Sequence, residues 1–423
     1  MASQIAIIGG GSSGLMAALL LEKKGFEVQV FEASDKLGWT ILRAGNGRCN
    51  FSSSKLSADE YSHSKEIAPV LGSTPEQDIL ELFDNLGLKY TLEEDRYYPA
   101  SMHARSVLEV IMREIHSHES ITIHTNTKVE RLVRYDKVSG VQAIDNDVYP
   151  FALFDEEHNI LCEAEWVIWA AGGSSIKDFA QQNALAHTKL TPLLCPLKCE
   201  AHILKGLSGI RAQALLKLCD TSYKSYAEEF GELLIRSYGV SGIASFNLSR
   251  KLKEHSILVI DFAPDMSMIE LCAYLDKIIA NNPGIDYAHL LDGLLHPDLG
   301  RRIMELTQDN AERILFELEP KRKSAKKAVY PPTRIHVSAV DTPVVASLVK
   351  NFELKVLGTT QLESAQVVRG GLELREINLE SFELKRIPKL YVLGEALDVD
   401  GACGGYNLAW AWLSALRCAE QFK

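Results

Sequence analysis

The sequence predicts an α/β protein, with a dinucleotide-binding domain built from both ends of the chain and a β-rich insert and a smaller helical insert between them. Three observations predict it. Residues Gln4–Glu32, QIAIIGGGSSGLMAALLLEKKGFEVQVFE, read as strand, glycine turn, helix and strand. From Leu190 to Phe262 the chain breaks into short alternating stretches divided by Gly and Pro turns. Leu390–Trp412, LYVLGEALDVDGACGGYNLAWAW, then returns to a buried strand, a glycine loop and a helix.

The opening segment carries Gly9-x-Gly11-x-x-Gly14 between an apolar β-branched run and a helical run, with Glu32 closing the second strand. This is the βαβ dinucleotide fingerprint in its required context. Gly9 permits the tight turn. Gly11, lacking a Cβ, lets a pyrophosphate approach the backbone. Gly14 lets the helix pack close to the sheet. The helix N-terminus then offers N–H groups and partial positive charge to the phosphates. Glu32 stands where a carboxylate accepts hydrogen bonds from ribose hydroxyls.

Further elements follow from periodicity. Pro75–Leu86 and Ser106–His116 carry apolar residues at helical spacing. Ser120–Leu132 alternates as a strand, and Trp166–Ala171 reads as a short buried strand before Gly172-Gly173. Met266–Ile279, Tyr287–Leu295, Leu299–Leu306 and Asn310–Leu318 look helical, and Val356–Ile377 alternates again. Leu390–Leu393 is a buried strand and Asn407–Gln421 an Ala-, Leu- and Trp-rich helix. The expected domains are 1–189 with 356–423 for the nucleotide, 190–263 with 333–355 for a β-rich substrate domain, and 264–332 for a helical insert. Flavin enzymes bind FAD in this arrangement.

Composition sets bounds. The 423 residues are 46% hydrophobic and 24% charged, with net charge −11. That charge provides no global attraction for nucleic acid or anionic lipid. The 8 Cys are scattered without a C-x-x-C, as expected for free thiols in a reducing cytoplasm. The N-terminal apolar run lacks a basic n-region, and no apolar run is long enough to span a membrane.

Two loops hold further candidates. In Leu390–Trp412, Gly394-Glu395 ends the strand, Asp398, Asp400 and Gly401 follow, and Gly404-Gly405 precede the helix. A helix start there would stabilise negative charge on a reduced flavin ring. An ordinary loop before a buried helix is the competing reading. In Ala44–Asn50, AGNGRCN, Gly47 and Arg48 lie where flavoproteins run a loop along the cofactor, and Arg48 is the cation that would meet phosphate. Cys49 reads as a packed thiol, because disulfide reductases place a pair of cysteines here. Gly206–Gly209 and Gly239–Gly242 lack the spacing of a nucleophile elbow and read as turns. His116 and His118 read as solvated surface. The basic run Lys321–Lys327 reads as a solvated face, with attraction of a nicotinamide cofactor's extra phosphate as the sharper alternative.

GGGSSGLMAA, AGNGRCNFS, RYYPASMHA, WVIWAAGG, GELLIRSYGVSG, ESAQVVRGGL and LGEALDVDGACGGYNLAWAW occur in this order. Together they resemble the BaiN-like and aminoacetone-oxidase-like group of bacterial NAD(P)/FAD-dependent oxidoreductases, two-dinucleotide-binding-domain flavoproteins. The resemblance covers nearly the whole chain, with the RCN and GGYN segments its most specific marks. It implies a Rossmann-like FAD-binding domain, a β-barrel-like insert and a smaller helical insert. It places FAD pyrophosphate at Gly9, Gly11, Ser13 and Gly14, ribose at Glu32 and adenine near Val129. Ala171 and Gly172 would line the cofactor's path. Gly394, Glu395, Asp400 and Gly405, Tyr406 and Asn407 would reach the ribityl chain and the flavin ring. Where this family often has a basic pair after Gly38, the chain has Trp39-Thr40.

The expected activity is hydride transfer through flavin N5. The favoured form is an NAD(P)H-dependent reductase of a small unsaturated organic substrate. The alternatives are an amine oxidase of the aminoacetone type using O2 and a flavin-binding redox sensor without turnover. Without a second G-x-G-x-x-G, NAD(P)H would dock transiently as reductant. Arg48, Asn50, Arg369 and Tyr406 are candidate cavity groups, but no catalytic residue and no metal ligand stands out. The expected partner is a small molecule, with neither nucleic acid nor membrane, and the oligomeric state is left open.

Overall fold

A computed structural model describes residues 2–135, 150–318, 341–360, 365 and 367–423. The basic run Lys321–Lys327 and part of the ESAQVVRGGL motif lie outside the described residues. The chain divides into two compact units, residues 1–193 with 366–423, and residues 194–365.

The first unit is built on an eight-stranded sheet. Its path runs Glu383–Leu384, Ile387–Val392, Ile160–Trp169, Ala2–Ile8, Val28–Phe31, Ile121–His124. The last five of these are mutually parallel. Arg131–Arg134 and Phe151–Phe154 form a hairpin added antiparallel to the first half of Ile160–Trp169. Parallel strands buried on both faces read as continuous apolar runs. Accordingly Ile5, Ile7, Val30, Val167, Ile168 and Val392 are all fully buried.

The chain's two ends pack together. Helix Ser12–Glu22 lies against helix Tyr406–Glu420. The latter is apolar almost all round, which fits its burial in the core. Two indole groups fix it: Trp410 Nε1 donates to the Gly394 carbonyl (3.1 Å) and Trp412 Nε1 to the Phe51 carbonyl (3.0 Å). Its cap, Gly405, has φ +99, and a Cβ there would lie 2.6 Å from the Ser52 carbonyl oxygen. Only glycine fits that close approach without displacing backbone.

The second unit contains a closed six-stranded barrel. Around it run Leu197–Cys199, Gly239–Ser241, Ser225–Arg236, Arg211–Cys219, Ile257–Asp261 and Phe352–Thr359, all antiparallel. Phe352–Thr359 alternates buried and exposed residues, as a barrel strand must. Helices Met268–Asn281, Pro297–Leu318 and Thr342–Lys350 share the barrel's hydrophobic cluster, through Leu271, Leu275, Ile303, Val345 and Val349. The helical segment therefore has a common core with the barrel, and the strand beginning at Phe352 belongs to the barrel.

Several elements differ from their expected form. Tyr287–Leu295 yields only a 3-10 turn over Tyr287–His289. Leu299–Leu306 and Asn310–Leu318 are one helix, Pro297–Leu318, with Pro297 at its start, where a missing N–H costs nothing. Ser120–Leu132 divides into two strands, because the residues after His124 turn across the end of the sheet.

Close packing of the first helix is the most sensitive point. A Cβ on Gly14 would sit 2.0 Å from the Gly9 carbonyl oxygen. Gly14→Ala is expected to destabilise the protein by about 1–3 kcal/mol, read as a lower urea midpoint; an unshifted midpoint would show that the turn relaxes freely.

Candidate functional site

The parallel strands bring the candidate residues together at their C-terminal edge, where open α/β sheets bind ligands. Ala2–Ile8 ends at Gly9, Val28–Phe31 at Glu32, and Ile160–Trp169 leads to Ala171 and Gly172. A cavity of about 770 Å3 opens among them. Of the expected residues, Gly9, Gly11, Ser13, Glu32, Val129, Ala171, Gly172 and Glu395 line it.

The three glycines are required for different reasons. Gly9 has φ +109, and a Cβ would meet the Ala170 carbonyl oxygen at 2.6 Å. Gly14 lies behind the turn and is fixed by the contact with Gly9. Gly11 has φ −82, open to any residue, and its Cβ would meet only the Thr40 hydroxyl, at 3.7 Å. Neither backbone strain nor crowding calls for glycine at that position. The space over that backbone is open, and a dinucleotide's pyrophosphate fits that cradle.

Electrostatics agree with that fit. Helix Ser12–Glu22 begins at Gly11 with no side-chain cap and no acid in its first turn. Its positive end therefore faces the cavity unneutralised by its own residues. Ser13 is buried beside Gly394, whose added Cβ would touch the serine hydroxyl. Glu32 is held at the rim: its carboxylate accepts from the Gly10 N–H (2.9 Å) and from the Ser34 N–H and hydroxyl (2.8 Å each). Glu395, on the turn after the last parallel strand, also faces the cavity, and burial pushes its carboxyl up to about 7.

The remaining expected residues lie outside this cavity's lining, and protein groups engage several of them. Asp400 is buried and takes two hydrogen bonds from the Arg369 guanidinium (2.9 and 3.1 Å). Asn407 accepts from the Gly401 N–H (2.8 Å) and donates to the Gly401 carbonyl (3.0 Å), folding the loop back on the final helix. Tyr406 donates to the Lys55 carbonyl (3.3 Å), while its own carbonyl accepts from Tyr61 (2.8 Å). Arg48 lies over the Tyr98 ring and 3.6 Å from Glu93, beside Gly47 with φ +84. Cys49 is fully buried, and burial pushes its thiol up to about 12, so it is inert at neutral pH. All eight cysteines are free. Among the described residues no His, Cys, Asp and Glu cluster could hold a metal, and no helix is long and apolar enough to cross a membrane.

Sequence reasoning did not assign Ser34, Lys36, Trp39, Thr40, Thr127 or Ser175 to the cavity, which they all line. Ser34 was findable, since a hydroxyl two residues after a strand-end carboxylate can hold it. Thr127 was not, because it depends on how the chain turns after His124.

Gly11→Leu should fill the cradle and abolish flavin retention on purification, measured as the ratio of visible to ultraviolet absorbance; a normal flavin content would remove this turn from the site. Glu395 gives a pH test. Its raised carboxyl means the folded state holds a proton that the unfolded chain releases near the ordinary glutamate value. Stability is therefore fully present below that value and is lost as pH rises through about 7. Glu395→Gln should flatten this fall, so that the variant melts higher than wild type at pH 8 and similarly at pH 4; parallel melting curves would contradict the burial argument.

Comparison with known proteins agrees with this geometry. The family model described as "HI0933-like protein Rossmann domain" matches residues 3–421. A 3-dehydro-bile acid delta(4,6)-reductase of Clostridium scindens is 30% identical, over 97% of this chain and 96% of its own. A ribosomal RNA dihydrouridine synthase of Haemophilus influenzae is 24% identical, over 99% and 98%. Among solved structures, the open conformation of a flavocytochrome c3 fumarate reductase aligns with TM-score 0.47 and 12% identity, covering 99% of this chain and 78% of that one. With fingerprint, parallel sheet and cavity all within the matched span, the chain belongs to the HI0933-like Rossmann family, as its resemblance to BaiN-like flavoproteins implied.

Proposed function

We propose that the protein is an FAD-dependent oxidoreductase that reduces a carbon–carbon double bond conjugated to a carbonyl group in a small organic substrate, with NAD(P)H as the reductant. The observation that carries the cofactor reading is the bare Gly11 cradle at an uncapped helix start, with the Glu32 carboxylate fixed at the rim of the same cavity. In this reading Gly9, Gly11, Ser13 and Gly14 form the pyrophosphate turn. Glu32 takes the ribose, Val129 borders the adenine, and Ala171, Gly172, Gly394 and Glu395 follow the chain toward the flavin.

Bound FAD supplies reversible two-electron chemistry, passing a hydride at N5. The protein's own residues do the rest. The helix dipole and backbone N–H groups hold the diphosphate. Glu395, with its raised carboxyl, keeps a proton near neutrality and can donate a hydrogen bond to a ribityl or phosphate oxygen rather than repel it. Asn407 and the Arg369–Asp400 pair hold the loop at the start of the final helix, where Gly405 and Tyr406 lie, and Gly47 and Arg48 on the earlier turn complete the expected set.

The substrate class rests on the relatives' names. A 3-dehydro-bile acid delta(4,6)-reductase and a dihydrouridine synthase both name the addition of two hydrogens across a double bond conjugated to a carbonyl. A small molecule is favoured over RNA because a net charge of −11 gives no long-range attraction for a polyanion.

Anaerobic mixing tests the reading. NADH or NADPH should bleach the flavin within seconds, and a cyclic enone such as 4-androstene-3,17-dione should restore its colour. Bleaching only by an amine, with peroxide formed on adding air, would instead establish an oxidase. No bleaching by either donor would leave a flavin-binding sensor.

A further inference from the structure

The short helix Trp39–Arg43 is tied to the phosphate turn. Its cap, Gly38, has φ +62 and donates its N–H to the Gly10 carbonyl (2.8 Å). One turn along, the Thr40 hydroxyl accepts from the Ser12 N–H (3.4 Å) at the start of the first helix. Trp39 is consequently set on the cavity's rim, and it is 50% exposed. Trp169, Trp410 and Trp412 are all buried. An exposed indole beside a cavity loses hydration cost when a ligand covers it.

Two cations accompany that ring. Lys36 Nζ lies 5.7 Å and the Arg43 guanidinium carbon 5.8 Å from its centroid, both within cation–π range. Lys36 lines the cavity, Arg43 does not, and the lining carries more acids than bases. Glu32, Asp35 and Asp178 line the cavity together with Lys36 and Lys128, and Lys128 is engaged by Glu130 at 2.6 Å. A diphosphate brings further negative charge, which one helix dipole of about half a unit charge cannot balance.

We propose that Trp39, Lys36 and Arg43 form a clamp over the adenosine diphosphate half of the bound dinucleotide. The indole covers the ligand, and the two cations, held near that ring, neutralise its diphosphate. The clamp retains the cofactor in a chain whose residues at 39 and 40 are both uncharged. This rests on the FAD reading above and adds to it the groups that control release.

Release of flavin from the full-length holoenzyme after dilution, followed by flavin fluorescence at low and high salt, tests the clamp. Trp39→Ala should release flavin roughly tenfold faster, the equivalent of about 1.4 kcal/mol, while Trp39→Phe should stay near wild type. Trp39→Leu, apolar but without an aromatic ring, should behave as Trp39→Ala and serves if the alanine variant does not accumulate. The double variant Lys36→Gln/Arg43→Gln should release faster at low salt and lose most of the salt dependence. Wild-type rates and salt response in all these variants, with flavin bound, would overturn the clamp. A wild-type protein that neither carries nor takes up FAD would overturn the cofactor reading instead.

Discussion

One contact governs the nucleotide end of the molecule: the backbone of Gly9 against the backbone of Gly14. Any side chain at Gly14 would have to occupy the space of the Gly9 carbonyl oxygen. Because that space is closed, the first helix starts directly over the end of the first strand. Its positive end then faces the opening between neighbouring parallel strands. The placement of Glu32 follows, since its carboxylate is fixed by the Gly10 N–H within the same turn. The cavity is thus shaped by two glycines packed backbone to backbone, while the Gly11 backbone stays open beside it.

Much of this was legible in the sequence because it is local. The fingerprint, its helix and the acid closing the second strand lie within one short segment, and β-branched runs identify the buried strands. The final helix was equally plain from its Ala, Leu and Trp content. What failed to show depended on distant packing. The long helix Pro297–Leu318 is continuous although its apolar pattern weakens near Gln308–Asn310, because its first turns are anchored in the barrel's core by Leu299 and Ile303. The expected boundary at 356 cuts the barrel strand Phe352–Thr359, since an alternating strand reads alike in a barrel or a sheet.

The candidate site divides along the same line. Residues near the fingerprint line one cavity as expected. Those near the chain's end are polar groups whose bonds are largely internal: Asp400 to Arg369, Asn407 to the Gly401 backbone. A sequence motif cannot distinguish a carboxylate aimed at a ligand from one that ties a loop. Trp39 illustrates the converse. The sequence marks it only as a departure from a basic pair, and the fold brings Lys36 and Arg43 to its ring.

The strand Ile387–Val392 and the helix Tyr406–Glu420 have a consequence for biosynthesis. The strand pairs with Ile160–Trp169, and the helix packs against the chain's first helix and bonds to Phe51. On the ribosome, therefore, the opening βαβ segment emerges early but waits with one sheet edge and one helix face uncovered. It closes only after Ile387–Val392 and Tyr406–Glu420 leave the exit tunnel, with the barrel segment made in the interval. Emergence of Tyr406–Glu420, more than the appearance of the fingerprint, marks the moment at which this domain can complete its core.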